Sequence, residues 1–114
     1  EYDPELIMVG LAGSELVREA EAVGLQAARE GFPDRAYLPD GSLMPRTQPG
    51  AVISEPTDIA ENAVRLVKQG IVSNNEIIKI DTLCLHGDHP EAANNAREVR
   101  KALEVEGVQI RSLT

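Results

Sequence analysis

The chain has 114 residues, a formal net charge of −8 and a pI near 4.7, a balance that argues against nucleic acid and anionic membranes as partners. Its length suits one domain with a modest core, and no apolar run approaches the roughly 20 residues that span a bilayer. The one cysteine, Cys84, excludes a disulfide framework and makes a reduced, cytoplasmic setting the expectation. The chain opens at Glu1 without an initiator methionine, as a cut inside a longer protein or a processed chain would. Aromatics make up only 3%, so the core must rest on Leu, Ile, Val and Ala.

Leu6 to Val9 is a continuous apolar run, the pattern of a strand buried on both faces. Gly10-Leu11-Ala12-Gly13-Ser14 turns the chain, with Ser14 as N-cap of a helix from Glu15 to Val23. Leu16, Ala20 and Val23 form its apolar stripe, and Gly24 ends it. Leu25 to Arg29 reads as a second strand. Residues 31 to 56 hold five of the seven prolines, with a small hairpin expected around Asp40-Gly41. Compact domains keep a loop this long when it has a task, such as a lid or a binding loop.

A second helix is predicted from Thr57 to Gln69, burying Ile59, Ala63, Leu66 and Val67 and closed by Gly70. Ile71 to Ile80 reads as a hairpin turning at Asn74-Asn75. A strand at Thr82 to Leu85 follows, then a helix from Pro90 to Glu106 with Ala92, Ala96, Val99 and Leu103 buried. Gly107 ends that helix, and Val108 to Leu113 reads as a last strand. Strands alternating with helices imply right-handed crossovers and a mainly parallel sheet, hence an α/β fold.

In such sheets ligands bind at the carboxyl ends of the strands. Three loops leave those ends, and they carry nearly all the unusual polar residues. Gly10 to Ser14 resembles a phosphate-cradling corner, although a plain tight turn is the preferred reading. Glu30, Asp34 and Arg35 follow the second strand, and a neighbouring Arg would keep a carboxylate ionised, the state of a general base. Asp34-Arg35 also reads as a structural loop pair. Arg46, in the proline-rich loop, suits a substrate carboxylate by a bidentate bond, or is a surface arginine. His86-Gly87-Asp88-His89 is the densest titratable cluster. His86 and Asp88 suit acid–base work or metal ligation, and Asp88 also suits the N-cap of the helix opening at Pro90. Cys84, inside a strand, is a poor nucleophile.

Val9-Gly10-Leu11-Ala12-Gly13-Ser14-Glu15-Leu16, Asp34-Arg35-Ala36-Tyr37, Pro39 to Arg46, Gln48-Pro49-Gly50-Ala51-Val52-Ile53 and Leu85-His86-Gly87-Asp88 together resemble the LamB/YcsF family of 5-oxoprolinase A subunits. The resemblance runs in order along almost the whole chain and corresponds to the C-terminal part of a longer family protein. It implies ATP-dependent opening of 5-oxo-L-proline to L-glutamate, carried out with subunits B and C. It also implies a fold like an irregular (β/α) barrel of the polysaccharide-deacetylase type, of which residues 1–114 would be the C-terminal half and residues 31–56 a loop on the active-site side. Asp34, Arg35, Arg46, His86 and Asp88 would line the site with Glu30 beside them. Arg46 or Arg35 would take the substrate carboxylate, and Asp88 or Glu30 the proton. The family's N-terminal half has no counterpart here, so this stretch would be inactive alone and could self-associate through exposed sheet edges.

Two rival readings stand beside this one. A metal-dependent deacetylase or hydrolase on a similar barrel would bind a divalent ion at His86 and Asp88, with Glu30 as third ligand. A non-catalytic module would hold a small anion at Ser14 and Arg46.

Overall fold

A computed structural model describes residues 7–87 and 91–110. The elements in order are β1 (Ile7–Leu11), α1 (Glu15–Ala22), β2 (Gln26–Gly31), α2 (Pro56–Gln69), β3 (Ile71–Ser73), β4 (Glu76–Ile78), β5 (Thr82–Leu83) and α3 (Ala92–Val105). The main sheet has the order β1-β2-β5 and is parallel throughout, while β3 and β4 form a separate antiparallel hairpin. This is the expected α/β class with a mainly parallel sheet.

Local chemistry explains most of the element boundaries. The Ser14 side chain accepts the Val17 N–H and starts α1, and Pro56 opens α2, where its missing N–H costs nothing. Gly70 ends α2 with φ 77° and ψ −167°, a region essentially reserved for glycine. A Cβ there would stand 2.5 Å from the Ile78 carbonyl oxygen. The hairpin turns at Asn74 and Asn75, whose φ values of 48° and 70° suit a tight two-residue turn.

Two apolar clusters make the core, and Leu83 of β5 touches both. Ile59 and Ala63 of α2 meet Val99 and Leu103 of α3, while Ala12, Leu66 and Ile71 pack beneath Tyr37 and Ile78. Ala20, Ile59, Ala63, Leu66, Val99 and Leu103 are buried as expected, and the stripes differ only at their edges, where Val23 is exposed. Val17 rather than Leu16 is buried in α1, Ala60 rather than Val67 in α2, and Asn95 rather than Ala96 in α3. Val67 and Ala96 instead line an open cleft of about 700 Å³ beside β5, with Leu85 and Ile110.

Three boundaries depart from expectation around that cleft. β5 stops at Leu83 instead of Leu85, and α3 begins at Ala92 behind Glu91; Pro90 lies outside the described residues. Val108–Ile110 form no strand. They line the cleft rather than pair with β5, whose two residues offer a short ladder. Leu6 and residues 111–113, parts of the first and last predicted strands, lie outside the described residues.

The long loop from residue 32 to 55 is ordered by backbone pairing. Ala36 N–H donates to Ala51 O at 2.9 Å, Met44 N–H to Ala36 O at 2.9 Å, and Leu38 N–H to Ser42 O at 2.8 Å. The expected hairpin at Asp40-Gly41 is present as the antiparallel bridge between Tyr37 and Leu43. Its tip is tied to β3, where Ser73 Oγ donates to Asp40 O at 2.6 Å.

Candidate active site

The parallel ladder brings two chain segments together just past the strand ends. Cys84 N–H donates to Gly31 O at 2.8 Å, so the residues after β2 and after β5 leave the sheet side by side. Asp34 follows β2 by three positions and His86 follows β5 by three. They meet although 52 residues apart.

Asp34 Oδ2 accepts twice from His86, from Nδ1 at 2.7 Å and from the backbone N–H at 3.1 Å. The Asp34 carbonyl accepts the Ile53 N–H at 2.9 Å, which fixes the loop around it. Asp34 is 8% exposed, and its Oδ1 is buried without a hydrogen-bond partner. On the far side of the ring, Arg46 Nη2 lies 2.7 Å from His86 Nε2. A guanidinium can only donate, so Nε2 is the acceptor and the proton of the neutral ring sits on Nδ1, pointing at Asp34. The result is a linear relay, carboxylate to imidazole to guanidinium, with the Phe32 ring 6.1 Å from the imidazole.

Tyr37 supports this corner. Its hydroxyl accepts the Phe32 N–H at 2.8 Å. Burial pushes its phenol above the ordinary value, with the Phe32 hydrogen bond and the Arg35 charge pulling the other way. Neither Tyr37 nor Phe32 had a role assigned from sequence. Their adjacency to Asp34 in an otherwise aromatic-poor chain was the available signal. Burial also raises the Cys84 thiol, and the Glu30 and Asp34 carboxylates add to that. A thiol so disfavoured as thiolate agrees with its dismissal as a nucleophile.

The remaining candidates fall unevenly. Arg35 does not pair with its neighbour Asp34. Its Nη2 donates to the Met44 carbonyl at 2.9 Å and its Nε is buried without a partner, so it braces the loop from within. Ser14 spends its hydroxyl oxygen as the α1 cap. Glu30 does not follow β2 but lies within it, one residue before its end and paired with Leu11 and Thr82, near enough to Tyr37 and Cys84 for its charge to act on both. Asp88 and His89 lie outside the described residues. Among the described residues no three His, Cys, Asp or Glu side chains converge as metal ligands. His86 also has both ring nitrogens engaged, one by a cation, which does not fit a metal centre built on it. No helix among the described residues is long and apolar enough to cross a membrane.

Comparisons with known proteins agree with one another. The 5-oxoprolinase A subunit of Pyrococcus furiosus is 46% identical over 114 residues, covering 96% of this chain and 45% of that protein. The protein of the same name from Thermus thermophilus is 44% identical over 115 residues, covering 97% and 46%. The crystal structure of the lactam utilization protein from Thermus thermophilus superposes with a TM-score of 0.84 at 41% identity, over 97% of this chain and 45% of that one. The chain thus spans about half the length of the curated relatives it matches. The model of the LamB/YcsF family matches residues 1–114. The chain belongs to the LamB/YcsF family.

Proposed function

We propose that this chain is part of a 5-oxoprolinase A subunit, which works with subunits B and C to open 5-oxo-L-proline to L-glutamate in an ATP-dependent reaction. The observation that carries the reading is the relay of Asp34, His86 and Arg46 at the carboxyl edge of a parallel sheet. Relatives named for 5-oxoprolinase and for lactam utilization support the substrate class.

A cyclic amide resists water because its carbonyl is stabilised by the ring nitrogen. ATP would supply the phosphoryl group that activates the amide oxygen. His86 Nε2 then takes a proton from water as the water oxygen bonds to the carbonyl carbon. Asp34 keeps the ring oriented through Nδ1 and stabilises the imidazolium as it forms. The same proton passes to the lactam nitrogen when the carbon–nitrogen bond breaks, leaving the amine of glutamate and a γ-carboxyl that still carries the phosphoryl group. A second water then releases that group as inorganic phosphate, beside the ADP left by the activation. Arg46 holds the substrate carboxylate. Arg35 shapes the loop behind it, the Ser14 hydroxyl keeps a donor to offer, and Glu30 and Asp88 are further candidates for proton transfer.

The architectural part of the proposal is that residues 1–114 form the C-terminal part of one irregular (β/α) barrel of the deacetylase type. The free edges of β1 and β5 would pair with the barrel's other strands, or with a second copy when those are missing. The segment alone would be inactive, and its setting cytoplasmic.

The test is His86→Ala in the complete enzyme, assayed with 5-oxo-L-proline and ATP. Loss of a general base should lower turnover by at least ~100-fold, with the enzyme still folded at the assay temperature. Full turnover in that variant would exclude the proposal.

A further inference from the structure

Arg46 occupies an unusual position for a residue that only waits for a carboxylate. Its guanidinium donates to the nitrogen that the proposed reaction needs as base, at 2.7 Å. The ring offers that guanidinium one neutral lone pair, and among the described residues no carboxylate lies within ion-pair distance of it. An exposed arginine held by a neutral acceptor keeps most of its donors and all of its charge uncommitted. A carboxylate is the better partner, since it accepts two parallel charge-assisted bonds.

We infer that Arg46 is a specificity-determining residue: its guanidinium covers Nε2 of His86 and is drawn off by the carboxylate of the substrate. This deepens the 5-oxoprolinase reading, on which it rests. The base is uncovered only beside a substrate that carries an anionic group, so a lactam without a carboxylate leaves the imidazole covered. Asp34 makes the exchange one-sided. It grips the ring through Nδ1 and through the backbone N–H, so the imidazole stays while the arginine leaves. Arg46 stands in the loop after Pro45, on an exposed stretch from residue 45 to 50, where a side-chain swing meets little packing.

Diethyl pyrocarbonate reacts with an unprotonated imidazole nitrogen and reports directly on whether Nε2 is covered. The His86 side chain is 30% exposed, so the reagent can reach it. On the full-length protein, modification of His86 is followed by peptide mass spectrometry in wild type, Arg46→Met and Arg46→Ala. Loss of a charged donor on Nε2 should speed modification by about fivefold or more in both variants. Equal rates in wild type and both variants would overturn the covering role. A second readout is turnover of 2-pyrrolidinone, the same lactam without its carboxylate. Arg46→Met should raise its kcat relative to wild type while raising KM for 5-oxo-L-proline, whereas a plain carboxylate clamp would raise KM alone. The two proposals fail separately. If His86→Ala abolishes turnover but the modification rates are equal, only the covering role is lost. If His86→Ala is fully active, the base assignment itself is lost.

Discussion

Two carboxylates span the β2–β5 pairing in the same way, one at each end. Before β5, Asp81 Oδ2 accepts from Arg29 Nε at 3.0 Å and from the Arg29 N–H at 2.9 Å. Beyond the strand ends, Asp34 Oδ2 accepts from His86 Nδ1 and from the His86 N–H. Both pairs join residues 52 apart, and both use one oxygen for a side chain and a backbone donor of one partner. They differ in what lies around them. Asp81 is 37% exposed at its side chain and meets a cation that cannot lose its proton, so it is a clasp on the sheet. Asp34 is 12% exposed at its side chain and meets a ring that can, and that ring's other nitrogen faces Arg46. The same geometry becomes chemistry when the partner can give up a proton and its far nitrogen can be uncovered by a substrate.

Several substitutions sharpen that contrast. The seam of α2 and α3 packs against Leu83 of β5 and Leu85 just beyond it, and Ile59 in that seam is fully buried. Ile59→Ala should lower the unfolding free energy by about 2–5 kcal/mol, read by chemical denaturation, and loosen both ends together. Asp34→Ala strands the His86 N–H in a half-buried corner and should cost about 1–3 kcal/mol. Asp81→Ala, at a solvated pair, should cost about 0–1 kcal/mol. Equal losses at the two ends would break the comparison. Tyr37→Phe leaves the Phe32 N–H without its acceptor, and the same measurement should show a loss of about 1–3 kcal/mol.

The smallest effect lies in pH dependence. Burial pushes the Asp81 pKa up, but the hydrogen bonds and charge of Arg29 outweigh it and leave the carboxyl below the ordinary value of 3.8. A depressed carboxylate stabilises the fold above its unfolded pKa and loses that contribution as pH falls through the folded one. Thermal melts should therefore show a stability term present above about pH 4 and fading on further acidification. Asp81→Asn should flatten that acid limb. An unchanged limb would mean that other carboxylates set it.

Much of this architecture was legible from residue patterns alone. The apolar run at Leu6 to Val9 marked β1, although Val9 is 41% exposed rather than buried, and Asn74-Asn75 between apolar flanks marked a hairpin turn, because two asparagines tolerate the left-handed backbone it needs. What depends on distant neighbours was not legible. A helix stripe read by period alone cannot tell whether its edge faces the core, the cleft beside β5, which Val67 and Ala96 line, or solvent, where Leu16 lies. The site shows the same limit. Asp34, His86 and Arg46 were each singled out, but local spacing favoured Arg35 as the partner of Asp34. Asp34 lies in a turn closed by the Arg35 N–H on Phe32 O, and the Arg35 guanidinium ends on the Met44 carbonyl instead. The partnership of Asp34 with His86 comes from parallel strand register, which no local pattern encodes.

The central claim is that Asp34 works through His86 while Asp81 only fastens the sheet. The most direct measurement is turnover of 5-oxo-L-proline with ATP by the complete enzyme carrying Asp34→Asn or Asp81→Asn, with melting temperatures recorded on the same samples. Asp34→Asn should lose at least ~100-fold in turnover and Asp81→Asn should stay near wild type, with both variants folded. Wild-type turnover in a folded Asp34→Asn variant would contradict that claim.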